Sequence, residues 1–573
     1  MNANEFDIDF DFEKEYGIDP PSFDEAPETD DDFDLTAVLS SEFGTNLPEE
    51  AAESEDDFDY GLDALLGEET VAETIVLPVE AVAAPDSVPA EPVAEESAPE
   101  EPVSEEPTAP IPPVSRRKPI SKMRKFKNDT LPLLIGAATV VLLLVFIIGS
   151  IARAVSINKG QHEAELNQSE SAMNEQIRLA EEAETLLKEA AALAAGYDYQ
   201  GAIDKLDSFS GNANDFTDII LRRSEYDQAK SQLIEWNDPG AVANLSFHVL
   251  VADPARTFEG QPLSKAFNMN FVTTDEFSKI LDQLYTNGYV LVDMDCFIDE
   301  KVGPDGSTTY SSKSLLLPDG KKPVMISETL ANYFNYMVDS DDDGEPDKDG
   351  AGFASRLVVD DNGDIKAEMV NADGQTVVGD YDLVPILEQF IKDHPDFSYH
   401  NSRALLAVTG YDGIFGYRTN KKVIDKKGQE YYDQQVEGAK KIVAALNEAG
   451  YEIACNTYNN EAYGKLSAQE IKADLDKWMD EVTPIVGQID KLIYAQKTEI
   501  EEYSGNKYNV LYNAGFRYFI NHGNKPSATV TNEYVRQNRL MVTGNQMAYA
   551  ASLYSQYFDA SLILNDQRGT VPN

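Results

Sequence analysis

The sequence predicts an α/β protein. A (β/α) barrel is preceded by a helical stalk, one transmembrane helix and a disordered acidic tail. Three observations predict this order. Between residues 245 and 545, short apolar runs alternate with segments of helical period, which is the pattern of an α/β domain with a barrel as its closure. The stretch Leu131 to Ile151 carries no charge. The first 115 residues hold 35 Asp and Glu against a single Lys, Lys14.

Residues 1–115 of the tail, 1–130, supply more than half of the formal charge of −56 carried by the 573 residues. So acidic a chain, with no large basic patch, is a poor nucleic-acid binder. Residues 80–113 alternate Pro with Glu, Ala and Val, and cannot bury enough apolar area to offset their ordering entropy. Two pieces, 31–43 and 56–66, each place an acidic start before apolar residues at helical spacing: Leu35, Val38, Leu39 and Phe43, then Leu62, Leu65 and Leu66. They read as short helices that form on a cytoplasmic protein partner, or as a few apolar residues met by chance in an acidic tail.

Residues 131–151 form an uncharged stretch long enough to cross the roughly 30 Å hydrocarbon core of a bilayer as a helix. Arg116, Arg117, Lys118, Lys122, Arg124, Lys125 and Lys127 precede it, whereas only Arg153 and Lys159 follow closely. Positive charge stays inside, so the N-terminus is cytoplasmic and residues 152–573 are extracellular. The basic run is expected against anionic lipid. Residues 152–236 read as the stalk. Helix formers without Pro run to Gly196, and a second helix starts after Asp198 with Ala202, Ile203 and Leu206 on one face, as in a tetratricopeptide-like hairpin. Asn237-Asp238-Pro239-Gly240 is turn chemistry that ends it.

From 241 to 573 the alternation begins. Leu245 to Val251 reads as a buried strand. Thr273 and Glu276 have capping-box spacing ahead of Phe277, Ile280, Leu281 and Leu284. Runs at 289–292, 323–326, 404–408, 452–455, 492–494 and 516–520 read as strands. Helices are expected around 430–448, ending at Gly450, and after Ser467, which sits three residues before Glu470. Cys296 and Cys455 are too few for a disulfide framework, and read as buried free thiols.

Two segments carry chemistry of their own. Asp339, Asp341, Asp343, Asp347 and Asp349 alternate around Gly344, the layout of a D-x-D-x-D-G-x-x-D calcium loop, or of a solvated acidic turn. Asp360-Asp361-Asn362-Gly363 and Asn371-Ala372-Asp373-Gly374 are hairpin turns, so 337–380 is expected as a calcium-tied β insertion. Residues 409–419 follow a strand at the C-terminal rim. Tyr411, Asp412, Tyr417 and Arg418 there offer stacking and hydrogen bonds to a sugar, or pack inward as a structural loop.

Asn287-Gly288-Tyr289, Gly450 to Asn460 and Ala514-Gly515-Phe516, in this order, resemble the polysaccharide deacetylase (chitooligosaccharide deacetylase homology) family across roughly residues 245–545. The resemblance implies a distorted barrel of deacetylase type. It also implies a T-F-D-D-G motif supplying a catalytic base and a metal-binding Asp, and an H-T-x-x-H pair holding zinc. Placed after Pro323 to Ile326, the first motif falls on Thr329 and Leu330. The second falls on Asn456 and Asn460, and the family's Tyr-Pro loop on Tyr494-Ala495-Gln496. Amides and an alkyl group are poor zinc ligands and bases, so no zinc is expected. The reading is a catalytically inactive, glycan-binding envelope protein with Asn456 and Asn460 in the cleft. The alternatives are a divergent polysaccharide deacetylase and a calcium-dependent receptor.

Overall fold

The computed structural model describes residues 159–259, 263–338, 352–572. The acidic tail, the apolar run 131–151 and the loop of Asp339, Asp341, Asp343, Asp347 and Asp349 lie outside them. Among the described residues, no helix is long and apolar enough to cross a membrane. The described chain divides into two units at Thr185.

Seven parallel strands close a barrel in strict chain order: β1 Ala243–Phe247, β2 Lys322–Thr329, β3 Leu405–Val408, β4 Glu452–Cys455, β5 Lys491–Ile493, β6 Tyr518–His522 and β7 Val535–Met541. Each pairs with the next, and β7 returns to β1 with Leu540 opposite Leu245. Parallel neighbours need long crossovers, and helices supply several of them. Three differences from the expected strands matter. The first strand stops at Phe247, leaving His248 beyond its end. Residues Tyr289–Leu291 lie outside the closed ring of strands, paired to the start of β2, with a single bridge from Leu291 to Ser398. The closing strand β7 is new: Val-Arg-Gln-Asn-Arg-Leu-Met reads as polar, because Gln537 and Arg539 face a polar barrel interior.

Local signals place the helices well. The helix Thr274–Thr286 starts on a complete capping box, with Thr273 accepting from Glu276 N and Glu276 accepting from Thr273 N. Ser467 and Glu470 do the same for Ala468–Glu481. The helix Gln429–Ala449 buries Ala439, Ile442, Val443 and Leu446 and ends on Gly450 at φ +102°, a left-handed position suited to glycine. Each fully buried aliphatic side chain contributes about 1.5–3 kcal/mol.

The insertion is β structure. Arg356–Val359, Ile365–Val370 and Thr376–Gly379 form an antiparallel sheet turned at the two expected sites. Asp360 Oδ1 accepts from Asn362 N and Asp364 N at 2.8 and 2.9 Å, and Asn371 Oδ1 repeats the pattern on Asp373 N and Gln375 N. Helices Lys159–Ala195, Tyr199–Asp207 and Thr217–Ser231 precede the barrel. The predicted boundary at 237–240 is not a free linker, since Ile234–Trp236 pairs with Leu315–Leu317 beside it. Both cysteines are free, Cys455 buried and Cys296 half-buried.

Candidate functional site

Alternation along each strand decides what faces the barrel interior. Leu245 and Phe247 join the outer core, so Asn244, Ser246 and His248 turn inward. Inside, Asn244 donates to Gln537 Oε1 at 3.1 Å, and Ser327 Oγ donates to Asn244 Oδ1 at 2.7 Å. One layer nearer the strand ends lies Arg539, with no exposed surface. It donates to Thr329 Oγ1 at 3.3 Å and to the Tyr494 carbonyl at 3.3 Å. His248 Nδ1 lies 3.4 Å from both the carbonyl and the hydroxyl of Thr329.

The first barrel strand therefore corrects the expected motif placement. β2, carrying Ser327-Glu328-Thr329, is the second strand. The residues following the first are His248 and Val249, whereas Thr329 and Leu330 stand at the end of the second. Glu328 points to the outer side of the barrel beside Asp382. Burial there, with the Asp382 carboxylate next to it, pushes Glu328 well above the usual carboxyl range. Asp382 accepts from Leu250 N at 2.7 Å and from the Tyr333 hydroxyl.

Two cations, Arg539 and Lys497, act on the histidines of the mouth. Burial, reinforced by the charges of Arg539 and Lys497, pushes His248 down to about 3. The same causes push His522, at the end of β6, down to about 4. Both imidazoles are neutral at physiological pH. A cleft of about 210 Å³ opens here, lined by His248, Asn270, Lys497, Met541, Thr543, Asn545 and Gln546.

The rim is also strained. Of the eleven non-glycine residues with left-handed φ among the described residues, eight follow β2 to β5: Leu330, Tyr333, Asp412, Phe415, Thr457, Asn460, Gln496 and Lys497. Such conformations each cost about 1–3 kcal/mol and gather at functional loops.

The residues nominated from sequence fall into two groups. Asp412 accepts from Asn335 N. Arg418 donates to the Asp412 carbonyl at 3.1 Å and to that of Tyr333 at 2.9 Å. The Tyr417 hydroxyl donates to Leu357 O at 3.0 Å, and its ring occupies the space a Cβ on Gly438 would need. Tyr411 packs partly buried against the core. These contacts clasp the rim to the insertion. Asn456 and Asn460, by contrast, are buried at the mouth. Asn456 Nδ2 donates to Ile493 O at 3.2 Å, while its Oδ1 and both amide atoms of Asn460 have no hydrogen-bond partner among the described residues. Leaving buried polar atoms unmade costs about 1–3 kcal/mol each. The expected site residues did not include His248, His522, Lys497 or Arg539. His248 was findable by laying the first motif on Ser246-Phe247, whereas the other three only tertiary structure brings in.

Of the polar groups at the mouth, the amides of Asn456 and Asn460 are poor zinc ligands, whereas the neutral imidazoles of His248 and His522 are of a type that can ligate one. Among the described residues, no three His, Cys, Asp or Glu gather closely enough to hold a metal.

No family model and no curated protein matches the sequence. Solved structures do match, among them the following two. The Streptococcus pyogenes deacetylase PplD in complex with acetate covers 55% of this chain and 95% of its own, at 10% identity and TM-score 0.27. A de-N-acetylase from Aggregatibacter actinomycetemcomitans covers 55% and 99%, at 12% identity and TM-score 0.30. The strand order shows a closed parallel barrel of seven strands.

Proposed function

We propose that the barrel is a carbohydrate-binding domain of deacetylase type that no longer hydrolyses through a metal. It would be displayed outside the cell on a single-pass envelope protein. The observation that supports this is the mouth itself. His248 and Val249 follow the first strand, Asn456 and Asn460 are buried just beyond β4, and the charges of Arg539 and Lys497 act on His248. Unpartnered amides in a strained rim suit sugar hydroxyls, which both donate and accept. The rest of the arrangement belongs to the same reading: membrane anchoring through 131–151, a cytoplasmic partner for 31–43 and 56–66, and calcium on Asp339, Asp341, Asp343, Asp347 and Asp349. The test is to incubate the purified full-length protein with N-acetylated oligosaccharides, measuring binding, acetate release and bound metal together. Binding without acetate is expected. Acetate release with stoichiometric zinc overturns the proposal.

One observation favours a second reading, a divergent hydrolase. His248 stands at the end of the first strand and is held neutral, so its imidazole has a lone pair to accept a proton. Its strongly lowered basicity weakens that reading. Metal-independent acetate release that disappears in His248→Ala would establish it.

A further inference from the structure

We propose that the segment 565–572 is a positioning strap: it holds two short cleft-lining helices in the arrangement that binds the sugar. This rests on the carbohydrate reading above and deepens it. Asn270 belongs to the helix Ser264–Asn270, Asn545 and Gln546 belong to the helix Gly544–Tyr549, and Thr543 caps the second helix. Helices of seven and six residues are too short to hold themselves. Their placement comes from tertiary contacts, and the strap supplies contacts to both.

Asn268 Nδ2 donates to the Arg568 carbonyl at 2.8 Å, and Arg568 Nη1 donates back to the Asn268 carbonyl at 2.7 Å. On the second helix, Asn545 Nδ2 donates to the Pro572 carbonyl at 2.9 Å, and the Tyr549 hydroxyl donates to the Val571 carbonyl at 2.5 Å. Helices and strap converge at Gly544. A Cβ there would lie 2.3 Å from the Asn268 carbonyl oxygen and 2.6 Å from Arg568 Nη1. Arg568 is anchored in turn on the buried Glu276. The strap also fixes what Asn545 presents. A carbonyl only accepts, so the amide turns its NH2 to Pro572 and its Oδ1 away from the strap. A side chain ordered before the ligand arrives costs less to bind.

The full-length protein in detergent and a chain ended after Gly569 would each be titrated with an N-acetylated chito-oligosaccharide, with amide hydrogen exchange followed in both. Ending there keeps Arg568 on Glu276 and removes the carbonyls of Val571 and Pro572. The shortened chain should bind at least tenfold more weakly. Exchange should quicken in the helices Ser264–Asn270 and Gly544–Tyr549 and stay unchanged in Gln429–Ala449. Unchanged affinity, or unchanged exchange in both short helices, overturns the strap while the carbohydrate reading stands. If exchange quickens throughout the shortened chain, Tyr549→Phe decides, since it removes one strap contact from a half-exposed side chain outside the cleft lining. At least a threefold loss of affinity at an unchanged melting temperature supports the strap, and unchanged affinity overturns it. If the full-length protein binds no sugar, both readings fall.

Discussion

Two buried polar clusters in this molecule are built on opposite terms. In the first, Glu276 and Arg568 are both essentially unexposed. Arg568 reaches both oxygens of Glu276, Nη2 to Oε2 at 2.6 Å, and donates to the Asn268 carbonyl at 2.7 Å. Glu276 also caps its own helix through Thr273 and accepts from Asn565 N at 2.8 Å. Lone pairs and protons are used up, and the C-terminal segment is tied to the barrel wall. In the second cluster, at the mouth, Asn456 and Asn460 are as deeply buried but leave amide atoms unmade, with Asn460 and Thr457, next to Asn456, in left-handed conformations. Desolvation falls on both. Only the first recovers it internally, which is the expected signature of scaffold against site.

The contrast is sharpest under mutation. Arg568→Ala leaves Glu276 buried and uncompensated and should cost about 3–5 kcal/mol, read by denaturant unfolding; a loss below about 1 kcal/mol would place both clusters on the same terms. The pH dependence separates them next. Burial lowers His248 and His522 from 6.5 to about 3 and about 4. Below 6.5 the unfolded chain takes protons that the folded mouth refuses. Stability is therefore lost as pH falls from 6.5 toward 4, by up to about 1.4 kcal/mol per pH unit for each histidine. His522→Asn should flatten that slope.

Glu328 has the opposite sign. Its folded value is raised above 4.5, so stability is full below that pH and declines as pH rises. Glu328→Gln should hold its melting temperature between pH 5 and 8 better than the parent does, and identical slopes would show that Glu328 ionises in place. The smallest effect is expected at Asn460. Asn460→Gly removes an unpartnered amide and relieves a φ of +55°. Its stability should change by less than about 1 kcal/mol, while sugar affinity falls. A large destabilisation would move Asn460 to the scaffold side.

The placement of the first family motif shows how a resemblance can misdirect. Laying the first motif after Pro323 to Ile326 passes over Leu245 to Val251, a run that itself reads as a buried strand. The true first strand, Ala-Asn-Leu-Ser-Phe, is broken by Asn244 and Ser246 facing a polar interior. Polar inward residues hid β7 for the same reason. A barrel interior that hydrogen-bonds to itself does not announce itself as core in hydropathy.

What the chain determined by itself was local. Capping boxes at Thr273 and Ser467, the stop at Gly450, and the Asx turns at Asp360 and Asn371 each depend on residues at most four or five apart, so spacing alone reveals them. Closure of the barrel by Val535–Met541 against Ala243–Phe247, and the meeting of His248, Lys497, His522 and Arg539 at one mouth, join residues separated by up to about three hundred positions. No local signal encodes those meetings, because they follow from which strands pair and which face each strand turns inward.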